Sequence, residues 1–183
     1  MIIVTGSNGF IGSNLIRGLN KKGYKDIIAV DDHSREDLKE NIVHCNIREF
    51  IDIDDFLVMV QKEEIDKKNI SAIFHQGACS DTMEWDSEYL FKNNLLYSKE
   101  LLNLAIRSKV PLIYASSASV YGSGKIFVES LENENPINLY AYSKFKFDQI
   151  VRRELKRSNT QIVGLRYFNV YGPQEQHKGK MAS

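Results

Sequence analysis

The chain has 183 residues, of which 43% are hydrophobic and 26% charged, a composition typical of one globular domain rather than of a disordered chain or a coiled coil. Lysine plus arginine (24) balances aspartate plus glutamate (24), which argues against a nucleic-acid-binding protein, because such proteins normally carry a basic excess. No apolar run approaches the roughly 20 residues that span a bilayer, and two cysteines make no disulfide framework, so we expect a cytoplasmic protein without membrane contact.

Short apolar runs alternate with stretches of helical periodicity along the chain. Six runs predict buried strands: Met1–Val4, Ile27–Val30, Ile42–Cys45, Ala72–Phe74, Leu112–Ala115 and Ile162–Leu165. Four helices and one weaker turn are predicted between these strands. The first helix carries Ile11, Leu15, Gly18 and Leu19 on one face, the second is capped by Asp54 or Asp55, and the third covers about Ser87–Ser108. The fourth runs from Leu139 towards Arg157 with Phe147, Ile150, Val151 and Leu155 facing inward, and the weaker turn lies around Arg35–Glu40. This alternation predicts an α/β fold, a doubly wound parallel Rossmann sheet with the strand order 3-2-1-4-5-6.

The first predicted strand runs into a glycine-rich turn, Gly6-x-x-Gly9-x-x-Gly12, which opens the first helix. In such a turn the glycines permit a tight bend, close approach of the backbone to a pyrophosphate, and close packing of helix against sheet. The helix N-terminus adds unpaired N–H groups and a partial positive charge. The sequence therefore predicts a dinucleotide-binding site.

Asp31 and Asp32 end the second predicted strand, 19 and 20 residues after Gly12, where an acidic residue meets the adenosine ribose of a dinucleotide. A carboxylate there repels a 2′-phosphate and favours NAD. Arg35 and Lys39 follow closely and offset that repulsion. The spacing alone leaves NAD and NADP open.

Tyr140 and Lys144 lie four residues apart at the start of the last predicted helix and therefore project from one face. A tyrosine is a poor base at neutral pH, because its reference pKa is about 10. A neighbouring ammonium and a positive nicotinamide both favour the phenolate, so we expect a lowered pKa for Tyr140. Lys144 is also expected to bind the nicotinamide ribose. Ser117, at the carboxyl end of the fifth predicted strand, is expected to hydrogen-bond the reacting oxygen in preference to Ser116.

The glycine turn, Ser117 and Tyr140-x-x-x-Lys144 together resemble the extended short-chain dehydrogenase/reductases, the NAD-dependent epimerase/dehydratase family. Within them, the chain is similar to the ADP-L-glycero-D-manno-heptose 6-epimerases over all 183 residues. The most specific stretches are Gly77-Ala78-Cys79-Ser80, Glu84-Trp85-Asp86, Arg166-Tyr167-Phe168-Asn169-Val170-Tyr171-Gly172-Pro173 and His177-Lys178-Gly179.

The resemblance implies an isomerase, a nucleotide-sugar epimerase with bound NADP, NAD being the less favoured cofactor. It would convert ADP-D-glycero-D-manno-heptose to the L-glycero epimer, a precursor of the lipopolysaccharide core, through a transient ketone at C6, and would be a homo-oligomer at full length. The resemblance assigns proton handling to Tyr140 and Lys178, and substrate contacts to Asn169, beside Ser117. The expected cofactor contacts are Gly6, Gly9, Phe10, Ile11, Gly12, Asp31, Asp32, Lys39, Gln76, Gly77, Ala78, Cys79, Ser80, Asn93, Lys144, Val170 and Lys178.

The expected organisation is an NADP-binding Rossmann domain over residues 1–168 and the start of a substrate-binding region over residues 169–183. Family members continue well beyond Ser183, so we expect a fragment, and a non-catalytic NADP-binding fragment is one alternative function. A sugar-nucleotide 4,6-dehydratase is the enzymatic alternative, although such enzymes carry an acidic pair where this chain has Ala118-Ser119. His75 and Cys79 lie four residues apart without a second pair of ligands, so no metal site is expected.

Overall fold

One six-stranded parallel sheet organises the computed structural model, which describes residues 1–175. The strands are β1 (Ile2–Thr5), β2 (Ile27–Asp31), β3 (Glu49–Asp52), β4 (Ala72–His75), β5 (Leu112–Ser117) and β6 (Ile162–Tyr167). They lie in the order β3-β2-β1-β4-β5-β6, and every neighbouring pair is parallel. The prediction of a doubly wound parallel Rossmann sheet is therefore confirmed.

Helices pack on both faces of this sheet. They are α1 (Phe10–Lys21), α2 (Ile53–Gln61), α3 (Ser87–Leu90), α4 (Tyr97–Ser108) and α5 (Leu139–Glu154), and a π-helical turn over Phe91–Leu96 joins α3 to α4. Alternate residues of a strand point to opposite faces, and accordingly Ile2 belongs to a hydrophobic cluster with Ile16 of α1, whereas Ile3 belongs to another with Phe56 of α2. Helices α4 and α5 contribute to the cluster of Ile3. The core is thus two layers, one on each side of the sheet.

The prediction of a third strand at Ile42–Cys45 is wrong, because β3 is formed by Glu49–Asp52. Ile42 instead ends a short 3-10 helix, Glu36–Asn41, close to the turn predicted at Arg35–Glu40, and packs in the cluster on the α1 face. β3 is one of the two edge strands, and Ile51 is its one buried residue. Its sequence, Glu49–Asp52, begins and ends with an acidic residue and therefore carries a weak apolar signal, whereas the other edge strand, β6, keeps an apolar run although half of its residues are exposed.

Three helix boundaries also differ from the expectations. The cap of α2 is Asp52, whose carboxylate accepts the Asp54 N–H at 2.9 Å, because the chain turns directly from β3 into the helix. The stretch predicted as one helix over Ser87–Ser108 is interrupted by the π-helical turn. Leu155, predicted to face inward, is 44% exposed because α5 ends one residue before it.

The carboxyl ends of all six strands meet at one edge of the sheet. Chain order reverses there between β1 and β4, and ligands of open α/β sheets bind in the crevice at such a switch point. None of the helices within residues 1–175 is long and apolar enough to cross a bilayer.

Candidate active site

A cleft of ≈ 850 Å³ opens at the carboxyl edge of the sheet. Of the predicted site residues, it is lined by Gly6, Gly9, Phe10, Ile11, Gly12, Asp31, Asp32, Gln76, Gly77, Ala78, Cys79, Ser80, Asn93, Ser117, Tyr140, Lys144 and Val170. Lys39 and Asn169 are not among its lining residues, and Lys178 lies outside the described residues. The structure thus gathers residues from seven separate stretches of the chain around one cavity.

Two of the three glycines in the turn are required by the protein's own packing. Gly6 has a φ of +67°, and a Cβ there would lie 2.5 Å from the Gly77 nitrogen. A Cβ on Gly12 would lie 1.9 Å from the Gly6 carbonyl oxygen. Both distances are far below van der Waals contact, so the turn holds α1 against β1 and β4 at a separation that only glycine permits.

Gly9 is different, because the protein itself leaves room for a side chain there. A Cβ at Gly9 would meet one described atom within 4 Å, the Gly6 carbonyl oxygen at 3.4 Å, which is an ordinary contact. Gly9 caps α1 and lines the cleft, and the first turn of α1 carries no acidic residue. Open space beside a helix N-terminus without a competing carboxylate fits the phosphates of a dinucleotide.

The carboxylates after β2 and β3 are held by backbone N–H groups. Asp31 accepts hydrogen bonds from Asn8 (2.7 Å) and from Asp32 (2.9 Å), which ties β2 to the glycine turn. Burial nevertheless raises the pKa of Asp31, and the neighbouring Asp32 adds to the rise. Tyr97 also lines the cleft, and its buried hydroxyl has no hydrogen-bond partner within residues 1–175. This end of the cleft fits a ligand that brings hydroxyl groups rather than further negative charge.

A buried histidine supports the loop that follows β4. The Ser98 hydroxyl donates to the Asn94 carbonyl oxygen at 2.8 Å, so it accepts from Nε2 of His75, also at 2.8 Å. Nδ1 of His75 then accepts from the Thr5 hydroxyl at 2.7 Å. Burial lowers the pKa of His75 to about 3, so this ring is neutral. The Gly77 N–H donates to the Thr5 oxygen at 3.3 Å, and the network thereby holds the floor of the cleft.

Both ring nitrogens of His75 are therefore engaged within the protein and are not available as metal ligands. Within residues 1–175, no group of three or more His, Cys, Asp or Glu side chains is arranged to hold a metal ion.

Asn94, in the π-helical turn, joins this loop to α5. Its amide accepts from the Cys79 N–H at 2.8 Å and donates to the Cys79 carbonyl oxygen at 3.1 Å. It also donates to the Ser143 hydroxyl at 3.0 Å, and Ser143 donates to the Tyr140 carbonyl oxygen at 2.7 Å. Single π-helical turns inside α-helices occur frequently at functional sites. Here the turn brings a fully buried amide between the cofactor loop and the candidate catalytic helix.

Ser117 and Tyr140 meet at the carboxyl end of β5. Ser117 accepts hydrogen bonds from the Ser119 hydroxyl (2.8 Å) and the Ser119 N–H (3.2 Å). The Ser117 proton is therefore not used by Ser119, and it favours the phenolate of Tyr140, which lines the same cleft. Ser116 is 3% exposed and turns away to donate to Asp148 at 2.8 Å. The alternation of side chains along β5 thus separates the two serines.

Without a bound cofactor, Lys144 does not lower the pKa of Tyr140, and the lowering expected when a nicotinamide is also bound stays a prediction. Burial raises the pKa of Tyr140, opposed only in part by the hydrogen bond from Ser117. The ammonium of Lys144 points elsewhere and donates to the Ala115 carbonyl oxygen at 2.9 Å. Burial also lowers the pKa of Lys144 to about 8, against the opposing charge of Asp148.

A buried polar network lies beneath these residues. Asp148, 5% exposed, accepts from the Tyr114 hydroxyl at 2.8 Å and lies 3.5 Å from Nη2 of Arg166. Arg166 also pairs with Glu134, whose side chain is fully buried and which pairs in turn with Arg152. Although burial opposes it, these two arginines lower the pKa of Glu134. The network fixes α5 and the loop before it against β5 and β6.

Sequence reasoning missed Asn94, Asp148 and Glu134. Asp148 follows Lys144 by one helical turn on the same face, and this spacing could have identified it. Asn94 directly follows the predicted Asn93, but a straight α-helix gives no reason to turn it inward. Glu134 lies in an irregular loop with no periodic signal.

Comparisons with known proteins agree with this architecture. The model of the family described as "NAD dependent epimerase/dehydratase family" matches residues 2–183. The chain is similar to the crystal structure of ADP-L-glycero-D-manno-heptose-6-epimerase from Helicobacter pylori, with 37% identity and a TM-score of 0.84 over 100% of this chain and 58% of that chain.

Two further solved structures resemble the chain at lower identity. UDP-glucuronic acid 4-epimerase from Bacillus cereus in complex with NAD is 28% identical, with a TM-score of 0.79 over 95% of this chain and 58% of that one. UDP-glucose 4-epimerase from Thermotoga maritima with UDP-glucose is 27% identical, with a TM-score of 0.79 over 95% and 57%. The chain therefore spans less than two thirds of the length of these relatives.

Proposed function

Because the chain belongs to the NAD dependent epimerase/dehydratase family, we propose that it forms the dinucleotide-binding and proton-handling part of a nucleotide-sugar epimerase. The substrate proposed is ADP-D-glycero-D-manno-heptose, inverted at C6 to the L-glycero epimer. The 37% identity to the Helicobacter pylori enzyme of that name supports this choice over the UDP-sugars of the other two relatives. ADP-heptose, homo-oligomerisation at full length, a cytoplasmic location and a role in lipopolysaccharide synthesis are parts of this proposal.

The observation that carries the proposal is that Ser117, Tyr140 and Lys144 line the same cleft as the glycine turn. The residues fit a nicotinamide dinucleotide: Gly9 leaves space for its phosphates, and Asp31 stands at its adenosine end. Lys144, at the Tyr140 end, would hold the nicotinamide ribose. NADP is the dinucleotide that the family resemblance predicts.

A bound nicotinamide dinucleotide supplies a hydride acceptor that later acts as donor, so the epimerisation is redox-neutral. Tyr140 would take the proton of the C6 hydroxyl as that carbon is oxidised to the ketone. Ser117 would hydrogen-bond the reacting oxygen and hold it against Tyr140. On return to the alcohol with the opposite configuration at C6, the oxygen would regain a proton from a residue of the chain. Lys178, outside the described residues, is the residue proposed to handle the proton in the second orientation.

The test is an epimerisation assay of the full-length protein with ADP-D-glycero-D-manno-heptose, in which the two C6 epimers are separated and quantified. Tyr140→Phe combined with Lys178→Met should abolish turnover and leave folding intact. Tyr142→Phe is the matched control, because Tyr142 lies on the same helix, is 44% exposed and stands outside the cleft lining. Normal epimerisation by the double variant would refute the assignment of the two proton-handling residues.

A second function that the same cleft would support is binding of a dinucleotide without catalysis. If the 183-residue chain binds a dinucleotide and never epimerises ADP-heptose, alone or at full length, it is a non-catalytic binding module. A 4,6-dehydratase receives no such support, because Ala118 and Ser119 supply no acid where elimination requires one.

A further inference from the structure

The end of the cleft beside β2 and β3 is strongly acidic. Four of its lining residues carry carboxylates: Asp31, Asp32, Asp52 and Asp54. Hydrogen bonds from the backbone hold several of them in place. Asp32 accepts from the Ser34 N–H at 2.8 Å, and Asp52 accepts from the N–H groups of His33 (3.0 Å) and Asp54 (2.9 Å). The folded backbone therefore holds these carboxylates in position, and an anionic ligand does not displace them.

The cation nearest to this acidic group is already engaged. Arg35 lines the cleft, but its guanidinium makes two hydrogen bonds with the carboxylate of Asp37, at 3.0 and 2.9 Å. Lys39 pairs with Glu36 at 2.5 Å and does not line the cleft. The other cationic lining residues within 1–175 are Lys92 and Lys144, which belong to elements that follow β4 and β5. Among the described lining residues, the cation that follows β2 is therefore already paired with a carboxylate.

The remaining lining residues at this end add no anion-binding groups. Leu38 and Ile53 are apolar and line the same part of the cleft. The buried hydroxyl of Tyr97 has no hydrogen-bond partner within residues 1–175, so it would form a hydrogen bond with a neutral group of a ligand at this end of the cleft. The surroundings suit a ribose with free hydroxyl groups.

We infer that the cleft selects NAD over NADP, and that Asp37 strengthens this selection by holding Arg35. The inference rests on the proposed function, because it requires the cleft to bind a nicotinamide dinucleotide. It reverses the preference that the family resemblance predicts. The physical basis is that a 2′-phosphate carries about −1.5 to −2 charges at neutral pH. The four carboxylates, three of which are held by backbone N–H groups, repel that charge. A ribose hydroxyl, in contrast, donates hydrogen bonds to the same oxygens.

The size of the effect is bounded by the exposure of the ion pair. Arg35 and Asp37 are about half exposed, at 49% and 54%. Exposed pairs contribute little, so release of Arg35 should improve NADP binding by no more than about five-fold. The fixed carboxylates should account for most of an overall preference for NAD of about ten-fold or more.

The experiment is direct titration of the 183-residue chain with NAD and with NADP, followed by calorimetry, at low and high salt. We expect tighter binding of NAD, by about ten-fold or more at low salt, and a smaller ratio at about 0.5 M salt, because salt screens the repulsion. Asp37→Asn should tighten NADP binding by about two- to five-fold and change NAD binding by less than about two-fold. Glu36→Gln is the matched control, since Lys39 does not line the cleft, and it should change neither affinity.

The outcomes separate the inference from the proposed function. Equal or tighter binding of NADP overturns the inference and leaves the proposed function intact. A preference for NAD that does not respond to salt also overturns it, because a steric exclusion would behave in that way. Binding of neither dinucleotide overturns the proposed function, and the inference fails with it.

Discussion

Alanine substitutions at three glycines of the first helix separate packing from cofactor binding. Gly12→Ala places a methyl group 1.9 Å from the Gly6 carbonyl oxygen and 3.0 Å from the Ser7 Cα atom. These are backbone atoms that cannot rotate away, so overpacking should cost about 3 kcal/mol or more. The better helix propensity of alanine returns about 1 kcal/mol. The net expectation is a loss of about 2 kcal/mol or more in the free energy of unfolding.

Gly18→Ala is the control on the same helix. No atom of residues 1–175 outside its own helix backbone lies within 4 Å of a Cβ at Gly18, and its φ is not positive, so the substitution should stabilise the chain by up to about 1 kcal/mol. The two variants should therefore differ by about 3 kcal/mol, or about 6–12 °C in Tm for a chain of this size.

Gly9→Ala tests the ligand. The protein tolerates a Cβ there, so stability should change by no more than about 1 kcal/mol. The methyl group would occupy the space assigned to the pyrophosphate, and dinucleotide affinity should fall by about ten-fold or more, since each 1.4 kcal/mol of lost contact is ten-fold. Urea unfolding measures the first quantity and calorimetric titration the second. Wild-type affinity in Gly9→Ala would refute the phosphate site, and equal stability of the Gly12 and Gly18 variants would refute the packing argument.

Three further predictions concern buried polar groups. Burial lowers the pKa of His75 to about 3, so below about pH 6.5 the unfolded chain binds a proton that the folded chain does not. Stability should therefore fall by up to about 1.4 kcal/mol per pH unit as pH decreases through that window, and urea titrations of His75→Gln should show a smaller slope. Burial lowers the pKa of Lys144 from 10.5 to about 8, so its charge destabilises the fold at neutral pH, and this cost is relieved as pH rises from 8 to 10.5. Lys144→Met should accordingly raise the free energy of unfolding at pH 7 by about 1–3 kcal/mol. Calorimetry of the same variant should show weaker dinucleotide binding. An unchanged or lower free energy of unfolding would contradict the prediction. Asn94→Ala should cost about 2–4 kcal/mol in urea unfolding, because it leaves both backbone groups of Cys79 unpaired, whereas Asn93→Ala should cost less than about 1 kcal/mol.

The parts of the fold that a sequence predicts well are those in which one periodic pattern decides the structure. The strands β1, β2, β4, β5 and β6 were predicted within two residues at either end, although half of the residues of β6 are exposed. Membership of the family was predicted from the glycine turn, Ser117 and the Tyr140–Lys144 pair. The edge strand β3 was misplaced, because one buried side chain in four residues gives no apolar run. The run at Ile42–Cys45 is as apolar as a buried strand, but it lies in a loop, from which Ile42 and Cys45 pack into the hydrophobic cluster on the α1 face.

The candidate site shows the same division. Residues that depend on a local motif, such as the glycines and Ser117, lie in the cleft as expected. Lys39 pairs with Glu36 and does not line the cleft, and residue spacing does not reveal such a competing partner. The inward orientation of Asn94 depends on the π-helical turn, a local change of helix geometry that residue spacing does not predict. The π-helical turn is stabilised by tertiary contacts, so only the folded chain reveals it.

The protonation state of Tyr140 cannot be predicted from the positions of Tyr140 and Lys144 on the helix alone. A spacing of four residues places Lys144 on the face of Tyr140, but the direction of its long side chain is set by the acceptors within reach. The Ala115 carbonyl oxygen and the charge of Asp148 hold the ammonium deeper in the protein. Without a bound cofactor, only Ser117 favours the phenolate, and burial outweighs it. If Tyr140 acts as a base, the cation that activates it must enter with the ligand, so proton transfer is coupled to occupancy of the dinucleotide site.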